Sequence, residues 1–443
     1  MNNALNKIMS KHETTAHTLQ RHKNFVTCYD ELHTRPFPQI NGPVNISSIA
    51  IIHEQCALNE QSIRDEIAHI TKLCQDNNRQ EPAMDCRHFY QSFDNFEFRW
   101  ERHNEFSSYT FIVRANNHSF FSNPAINQVC KTWLATIAGK VISALHIEAK
   151  TAVDLQRNAQ EIKPYFEQYR LLGSMLHLKK ISLWSAMRLH QDGFNRILLL
   201  SEDIHQCQNG RIIRTLLELE VYRNLTLLAL PLAQQIVNEV NAIEVKLTGL
   251  LQHNSAEKHN EQQLAALSTL RAKLAILNVK SQYRFDASIA YYQIVDSRLT
   301  ELHEEKVANL QTITAFIKRR LLPALRTIKV AKYRLDDLAT RIDRASDFLR
   351  TQIDMAITQQ NQALLTSMNN RAQIQLNLQQ TVEGLSVIVV TYYLLALTRY
   401  ALEAINNAFI QVNQSQVIAC LLPLYLLMVW LFGKRIKKHI ANK

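Results

Sequence analysis

Two adjoining stretches decide the architecture of this chain: RLDDLATRIDRASDFLR (334–350) and GLSVIVVTYYLLALTRYA (384–401). In the first stretch, apolar residues recur every three or four positions, at Leu335, Leu338, Ile342, Ala345 and Leu349. This spacing is typical of a packed helix or a coiled coil. No proline or glycine interrupts the chain from there to Gly384, so we predict one helix over about 334–401. With a rise of about 1.5 Å per residue, that helix would be roughly 100 Å long.

The second stretch has no charged residue before Arg399, and another apolar run, VIACLLPLYLLMVWLFG, occupies 417–433. Each run is long enough to cross a bilayer core as a short spanning helix. We therefore predict a transmembrane hairpin over 384–433, with the lipid bilayer as its partner. A buried hairpin in a soluble protein is the alternative. It is disfavoured because Trp430 and a basic flank end the second run, as at a membrane interface.

Basic residues predict the topology of the hairpin. The intervening segment, LEAINNAFIQVNQSQ (402–416), has no Lys or Arg, whereas Lys434, Arg435, Lys437, Lys438 and Lys443 follow the second run. By the positive-inside rule, the loop lies outside and both termini lie in the cytosol. The chain has 50 Lys and Arg residues against 39 acidic ones. Because topology explains the terminal basic cluster, we do not expect a nucleic-acid partner.

The N-terminal part shows the patterns of strands at 44–54, 96–103, 107–114, 139–149, 169–176, 179–189 and 194–200. Helical spacing occurs at 56–77 and 123–137. Strands come in consecutive runs, which favours an α+β cytosolic domain with a mostly antiparallel sheet and flanking helices. We divide the chain into a polar N-terminal tail (1–24), the α+β domain (25–205), a long-helix or coiled-coil stalk (206–383), the hairpin (384–433) and a basic cytosolic tail (434–443).

Within the stalk, we expect one helix over 210–252 that Pro231 kinks, and a second over about 262–320. Pro323 is expected to mark the turn back into the long helix. The first twenty residues are polar, so we predict no signal peptide. Seven scattered cysteines without a CxxC pair argue against a zinc site or a disulfide framework, and favour a reducing compartment.

Charged residues form several short motifs. Glu31, His33 and Arg35 alternate in an extended, proline-rich segment, which favours a salt-bridged strap over an acid–base unit. We find no nucleophile elbow, HExxH motif or phosphate loop, so we predict no enzyme and no catalytic residue. The predicted structural charge motifs are Glu31, His33, Arg35, Arg99, Glu101, Arg102, His103, Glu218, Glu220, Tyr222 and Arg223. A metal ligand set is not apparent.

Four segments together resemble a known family: ELHTRPF (31–37), FRWERH (98–103), LLELEVYR (216–223) and EGLS (383–386). They are similar to the uncharacterised bacterial domain-of-unknown-function family 3422 of membrane-anchored proteins. The resemblance covers nearly the whole chain. It implies an integral protein of the bacterial inner membrane, without supplying an activity.

The predicted architecture is also similar to the CorA magnesium-channel superfamily, in which five stalks surround a pore lined by the first membrane helix. That resemblance implies a homo-oligomer, pentameric by analogy, and a divalent cation as the ligand; we expect no other cofactor. The Gly-Met-Asn filter of that superfamily does not occur in this chain, where YALEAI (400–405) stands at the corresponding place. We therefore expect atypical or absent magnesium selectivity.

A single stripe of the long helix carries recurring hydroxyl groups: Asn377, Thr381, Gly384, Ile388, Thr391, Leu395 and Thr398. The stripe fits either close helix packing or the lining of an aqueous pore, and both interpretations stay open. The first functional hypothesis is an oligomeric, CorA-like inner-membrane protein that conducts, transports or senses a cation. The alternative is a non-conducting, membrane-anchored scaffold that presents its cytosolic domain to a partner.

Overall fold

A computed structural model describes residues 22–25, 28–29, 40, 42–53, 60–84, 86–114, 119–152, 159–176, 179–201, 206–252, 260–307, 309–406 and 413–441. The chain separates into two compact units. The first lies within Met1–His253 and Ser268–Asp343, and the second within Asn254–Leu267 and Arg344–Lys443.

The strands of the first unit form one sheet. They are β1 (Val44–Ile52), β2 (His88–Ser92), β3 (Glu97–Arg102), β4 (Phe106–Arg114), β5 (Lys140–Thr151), β6 (Leu172–Leu176), β7 (Ile181–Ser185), β8 (Asn195–Ser201) and β9 (Glu305–Lys306). Their order across the sheet is β2-β3-β4-β1-β5-β8-β7-β6-β9. Of the pairings described, β5–β8 is parallel and the others are antiparallel. The first unit is therefore an α/β domain with a mixed sheet.

The helices are α1 (Glu60–Asp76), α2 (Lys131–Ala135), α3 (Ala159–Ile162), α4 (Gln206–Leu227), α5 (Leu230–Gln252), α6 (Asn260–Glu301), α7 (Ile313–Asn406) and α8 (Gln414–Ala441). Short 3-10 turns occupy Ala125–Gln128 and Lys163–Phe166. Helix α7 is continuous over 94 residues, which confirms the long helix predicted for 334–401. The predicted helix at 123–137 consists of a 3-10 turn followed by the short α2.

Helices cover one face of the sheet with a small apolar cluster around Phe106 and Leu225 and with one large apolar core. Alternate strand residues such as Ile147 and Leu183 are fully buried there against α4 and the adjoining ends of α6 and α7. Ile213 and Leu216 of α4, both 0% exposed, lie in this core. Burial of aliphatic side chains at about 25 cal/mol per Å² is the main stabilising contribution of such a face.

The opposite face has two cores. Near β2–β4, the aromatic residues Phe98, Trp100 and Phe111 pack with α1 and α2. Near β6–β8, Phe166 and Trp184 belong to a separate cluster beneath α3 and its following 3-10 turn. The sheet is thus covered on both faces, which explains why β6 and β7 are buried along their whole length.

Two predicted helix boundaries are wrong. The helix expected over 210–252 is two helices, since α4 ends at Leu227 and α5 begins at Leu230. Pro231 lies in the first turn of α5, where its missing N–H needs no partner. Pro323 does not mark a turn, because it lies inside α7.

The helix expected over about 262–320 ends at Glu301, and the turn back into α7 lies between that residue and Ile313. Strand β9 lies in this turn and pairs with β6, an edge contact that helical periodicity could not predict. Glu304 stabilises the turn, accepting hydrogen bonds from Ser174 Oγ at 3.0 Å and from the Thr314 backbone N–H at 2.8 Å. The second of these satisfies a donor in the first turn of α7.

The second unit includes the C-terminal part of α7 and the whole of α8. Both helices are long and apolar enough to cross a membrane, and their most apolar windows are 6% and 0% buried. The two helices are in contact through the hydroxyl groups of Thr398 and Tyr425, which lie 3.0 Å apart.

Candidate functional site

A polar cleft of about 50 Å³ lies between α4 and the face of β1, β3 and β4 that this helix covers. We call it the β3–α4 cleft and define it by its polar lining. The strands supply Ser48, Arg99, Glu101, His103, Ser108 and Thr110, and the helix supplies Arg214, Glu218 and Tyr222. Polar groups in these numbers are unusual beneath a helix, so the cleft is the leading candidate for a binding site.

Strand alternation explains the wall formed by β3. Phe98 and Trp100 are both 0% exposed and belong to the aromatic core of the opposite face. Because successive side chains of a strand point to opposite faces, Arg99 and Glu101 must then face α4. Arg99 donates a hydrogen bond to Glu101 Oε1 at 2.6 Å. Strand alternation therefore places Arg99 and Glu101 on the face opposite the aromatic core.

Helical spacing explains the other wall. Arg214, Glu218 and Tyr222 are four residues apart and therefore lie on one face of α4. Arg214 Nε donates to Glu218 Oε1 at 2.8 Å, and Arg298 Nε from α6 donates to Glu218 Oε2 at 2.5 Å. Glu218 is thus held by two guanidinium groups from two helices.

Glu101 is the carboxylate at the centre of the charge distribution in the cleft. Burial raises the pKa of this group, but the guanidinium of Arg99, together with the positive charges of His103 and Arg214, lowers the pKa below its ordinary value overall. Glu101 is therefore ionised at neutral pH. A half-buried carboxylate with several cations nearby keeps its negative charge at neutral pH.

Aromatic rings close one end of the cleft. The His103 ring stacks on Phe106 with centroids 4.3 Å apart, and Phe106 meets Tyr222 edge to face at 5.9 Å. Along the sheet, the hydroxyl groups of Ser48 and Thr110 lie 3.0 Å apart. The cleft therefore offers hydroxyl, guanidinium and carboxylate groups beside an aromatic surface.

An open groove of about 540 Å³ adjoins the β3–α4 cleft, because Arg214 and Glu218 line both. Arg211, Arg298, Glu301 and His303 complete its polar lining. The cleft alone has room for about two water molecules, so a larger ligand would bind mainly in this groove. In the described part of the chain, no group of three or more His, Cys, Asp or Glu side chains could hold a metal ion.

Other predicted charge residues lie elsewhere. Glu220 is 3% exposed and accepts hydrogen bonds from Asn195 Nδ2 at 2.9 Å and from Arg223 Nε at 2.8 Å, away from the cleft. Arg102 lies on the opposite face of the sheet. Glu31, His33 and Arg35 fall outside the described residues, so their proposed strap stays a prediction.

Sequence reasoning missed the partners of Arg102. Its guanidinium lies 2.6 Å from Glu66 on α1, and the same carboxylate accepts a hydrogen bond from Ser107 at 2.7 Å. His53 Nε2 is 3.2 Å from Glu66, and burial lowers the pKa of this histidine against the raising effect of the carboxylate. A sequence signal did exist, because Glu66 falls on the apolar face of the predicted helix at 56–77.

The predicted pore-lining stripe differs along its length. Asn377, Thr381, Gly384 and Ile388 are exposed, whereas Leu395 and Thr398 are half-buried and Thr391 is 5% exposed. The hydroxyl groups of Thr381, Thr391 and Thr398 each donate to the carbonyl four residues earlier. These bonds lie within α7, whereas the contact between Thr398 and Tyr425 joins α7 to α8. The pore lining itself stays a prediction.

A comparison with protein families finds one match, to the model described as a protein of unknown function (DUF3422), over residues 20–440. The chain belongs to this family. The match contains all four segments on which the family resemblance was based and confirms it. A search of curated proteins finds no match.

Within this DUF3422 protein, two of the four recognisable segments meet in space. FRWERH (98–103) supplies Arg99, Glu101 and His103 to one wall of the β3–α4 cleft, and LLELEVYR (216–223) supplies Glu218 and Tyr222 to the other. The geometry therefore unites two motifs that lie more than a hundred residues apart in the sequence.

Proposed function

We propose that this DUF3422 protein is a non-conducting membrane scaffold, in which two spanning helices hold an α/β domain at the bilayer. The β3–α4 cleft and its adjoining groove then serve as the surface that the domain presents to a partner. The observation that carries the proposal is the exposed apolar surface of α7 and α8, whose most apolar windows are 6% and 0% buried.

That surface is too large and continuous to remain in water. Leu385, Ile388, Leu427 and Phe432 are each 60% exposed or more, and soluble monomers rarely expose apolar patches above a few hundred Å². Lipid chains would cover such side chains without cost, and helical hydrogen bonding satisfies the backbone within each span. The bilayer is thus the partner that this surface fits best.

The proposed location is a bacterial inner membrane with both termini in the cytosol. It is supported by the absence of Lys and Arg from 402–416 and by the basic residues after 433. Labelling of single-cysteine variants in intact cells tests the topology. A cysteine near Asn406 should react with an impermeant reagent and one near Lys438 should not. The reverse pattern would contradict the proposed orientation.

Membrane fractionation and flux measurements test the scaffold itself. We expect the full chain to stay with membranes during an alkaline carbonate wash. Liposomes that contain the purified chain should leak cations no faster than liposomes without protein. Release by carbonate would reject the membrane anchor, while a protein-dependent flux would reject the non-conducting scaffold.

A second candidate is the CorA-like cation channel, built as a homo-oligomer and pentameric by analogy. The observation that favours it is the recurrence of polar and small residues along one stripe of α7, at Asn377, Thr381 and Gly384. These residues, like most of their neighbours in this segment, are exposed and therefore available to a neighbouring copy. The mass of the detergent-purified protein separates the two candidates, since a monomer cannot surround a central pore.

A further inference from the structure

A second cavity of the first unit is lined by four arginines. It has a volume of about 560 Å³, and its arginines come from four separate segments. Arg170 precedes β6, Arg188 follows β7, Arg223 lies on α4 and Arg320 lies on α7. We call it the four-arginine pocket. None of these residues belongs to the β3–α4 cleft.

Three of the four guanidinium groups have no acidic partner. Arg223 is paired with Glu220, but among the described residues no carboxylate lies within ion-pair distance of Arg170, Arg188 or Arg320. Neighbouring basic residues of α7 behave differently, since Lys318 pairs with Asp296 at 2.8 Å. Arg170, Arg188 and Arg320 are exposed, so the pocket presents to solvent a positive charge that the chain itself does not neutralise. Such a concentration of positive charge attracts anions.

Aromatic rings orient two of these guanidinium groups. Arg188 lies over the Tyr169 ring at 5.3 Å, and Arg320 lies over the Phe316 ring at 3.9 Å. A guanidinium group that lies over an aromatic ring directs its N–H groups outward, away from the ring. There they are free to donate hydrogen bonds to oxygen atoms of a ligand. Both aromatic residues also line the pocket. The arrangement holds hydrogen-bond donors ready for a planar or tetrahedral oxyanion.

The backbone at the pocket is unusual as well. Gln168 and Met187 line it with φ values of 61° and 50°, in the left-handed region that residues other than glycine seldom adopt. The two residues belong to different loops, one before β6 and one after β7, and both loops line the same cavity. Backbone strain of this kind is frequent at ligand sites.

We propose that the four-arginine pocket binds a small molecule that carries a phosphate group together with an apolar or aromatic part. Three unpaired guanidinium groups match a ligand with more than one negative charge, and guanidinium forks bind phosphate oxygens in pairs. The volume exceeds that of a phosphate group alone. Leu172, Ile317 and Leu321 supply an apolar surface for the remainder of the ligand. The inference is independent of the scaffold and of membrane insertion.

Calorimetric titration of the detergent-solubilised full chain tests the pocket, with inorganic pyrophosphate and ADP as probes and succinate as a dicarboxylate control. We expect both phosphate compounds to bind more tightly than succinate, and ADP to bind more tightly than pyrophosphate. Arg188→Gln and Arg320→Gln should each weaken binding roughly tenfold to a hundredfold, because each removes charged hydrogen bonds. The proposal would be overturned if the unaltered chain bound none of the three phosphate compounds: pyrophosphate, ADP and short-chain phosphatidic acid.

Arg319→Gln is the matched control, because it removes the same charge from the adjacent, exposed position outside the pocket. Its affinity for ADP should stay within about twofold of the unaltered chain. If Arg319→Gln and Arg320→Gln lowered the affinity for ADP equally, the loss would reflect only the change in net charge, and the pocket would be rejected as the binding site. Arg188→Lys, which keeps the charge but not the planar stack, should give an intermediate loss. Unchanged melting temperatures of all variants exclude unfolding as the cause.

Short-chain phosphatidic acid distinguishes the two sources of phosphate. Binding of this lipid with the same variant pattern, in the absence of ADP binding, would support the pocket and assign its phosphate to a lipid headgroup. Binding of ADP without the lipid would assign it to a soluble metabolite. Tight binding of a single-stranded oligonucleotide that Arg319→Gln and Arg320→Gln weaken equally would overturn the proposal in favour of a nucleic-acid surface.

Discussion

Arg102 on β3 and Glu66 on α1 form a buried ion pair, in which Nη1 of the guanidinium lies 2.6 Å from Oε1 of the carboxylate. Their side chains are 5% and 4% exposed. Ser107 also donates to Glu66 at 2.7 Å, so both oxygens of this carboxylate are satisfied. The pair fastens α1 to the aromatic face of the sheet.

Replacing Arg102 with Met should destabilise the domain by about 3–5 kcal/mol, because the change leaves the Glu66 charge buried without a counterion. Arg114→Met is the matched control. Arg114 pairs with Glu97 at 3.0 Å but is 58% exposed, so its loss should cost no more than about 1 kcal/mol. Urea unfolding followed by tryptophan fluorescence measures both. Similar losses for the two variants would contradict a special role for the buried pair.

The buried His146 should make the stability of the domain depend on pH. Its ring is buried and Nδ1 lies 2.9 Å from Ser47 Oγ. Burial lowers its pKa from 6.5 to about 4, although Asp192 opposes the change. The unfolded chain therefore takes up a proton at a higher pH than the folded chain does. The contribution of His146 to the free energy of unfolding is therefore fully present above pH 6.5, and it is lost as the pH falls towards about 4.

The pKa difference corresponds to about 3 kcal/mol across that interval. His146→Asn, which keeps a polar group beside Ser47, should therefore flatten the dependence of the unfolding free energy on pH. Some slope should remain, because burial also lowers the pKa of His53, His69 and His190. Unfolding free energies measured across the interval check this. An unaltered slope in the variant would show that His146 does not stay neutral in the folded chain.

The apolar seam of α7 gives a third prediction. Ile342 is 0% exposed, as the heptad-like spacing predicts, and Arg341 one residue earlier pairs with Glu244 of α5 at 2.6 Å. Ile342→Asp would bury an unpaired charge and should cost several kcal/mol. Tyr333→Asp, at a 70% exposed position of the same helix, should change stability by less than about 0.5 kcal/mol. Thermal unfolding in detergent measures both, and an unchanged melting temperature for Ile342→Asp would refute the packing.

Two neighbouring substitutions test the pore-lining stripe. Ile388 belongs to the stripe and Val389 does not, although both are exposed, at 62% and 45%. If α7 lined a pore, Ile388→Ser would wet an apolar constriction and raise cation flux in liposomes. The scaffold proposal predicts that neither Ile388→Ser nor Val389→Ser raises flux. A selective increase with Ile388→Ser would favour the channel instead.

The sequence by itself determined the features that depend on local periodicity. Side-chain direction repeats every two residues in a strand and every 3.6 in a helix. For this reason the two faces of β3, the continuity of α7 and the two apolar runs could all be predicted. The FRWERH and LLELEVYR segments were recognised by their resemblance to a family, and the Glu66 carboxylate, although it falls on an apolar helix face, was missed. Neither kind of signal states what these residues contact.

Only the tertiary structure decided which of these residues meet. Helical periodicity places Glu218 and Glu220 on different sides of α4, but it does not show that Glu218 enters the β3–α4 cleft or that Glu220 binds Asn195 of β8. The connection between α6 and α7 contains β9, which pairs with the distant β6. Arg170 and Arg320 line one pocket although they lie 150 residues apart in the sequence. Such contacts are set by sheet order and helix packing between remote segments, which no local repeat encodes.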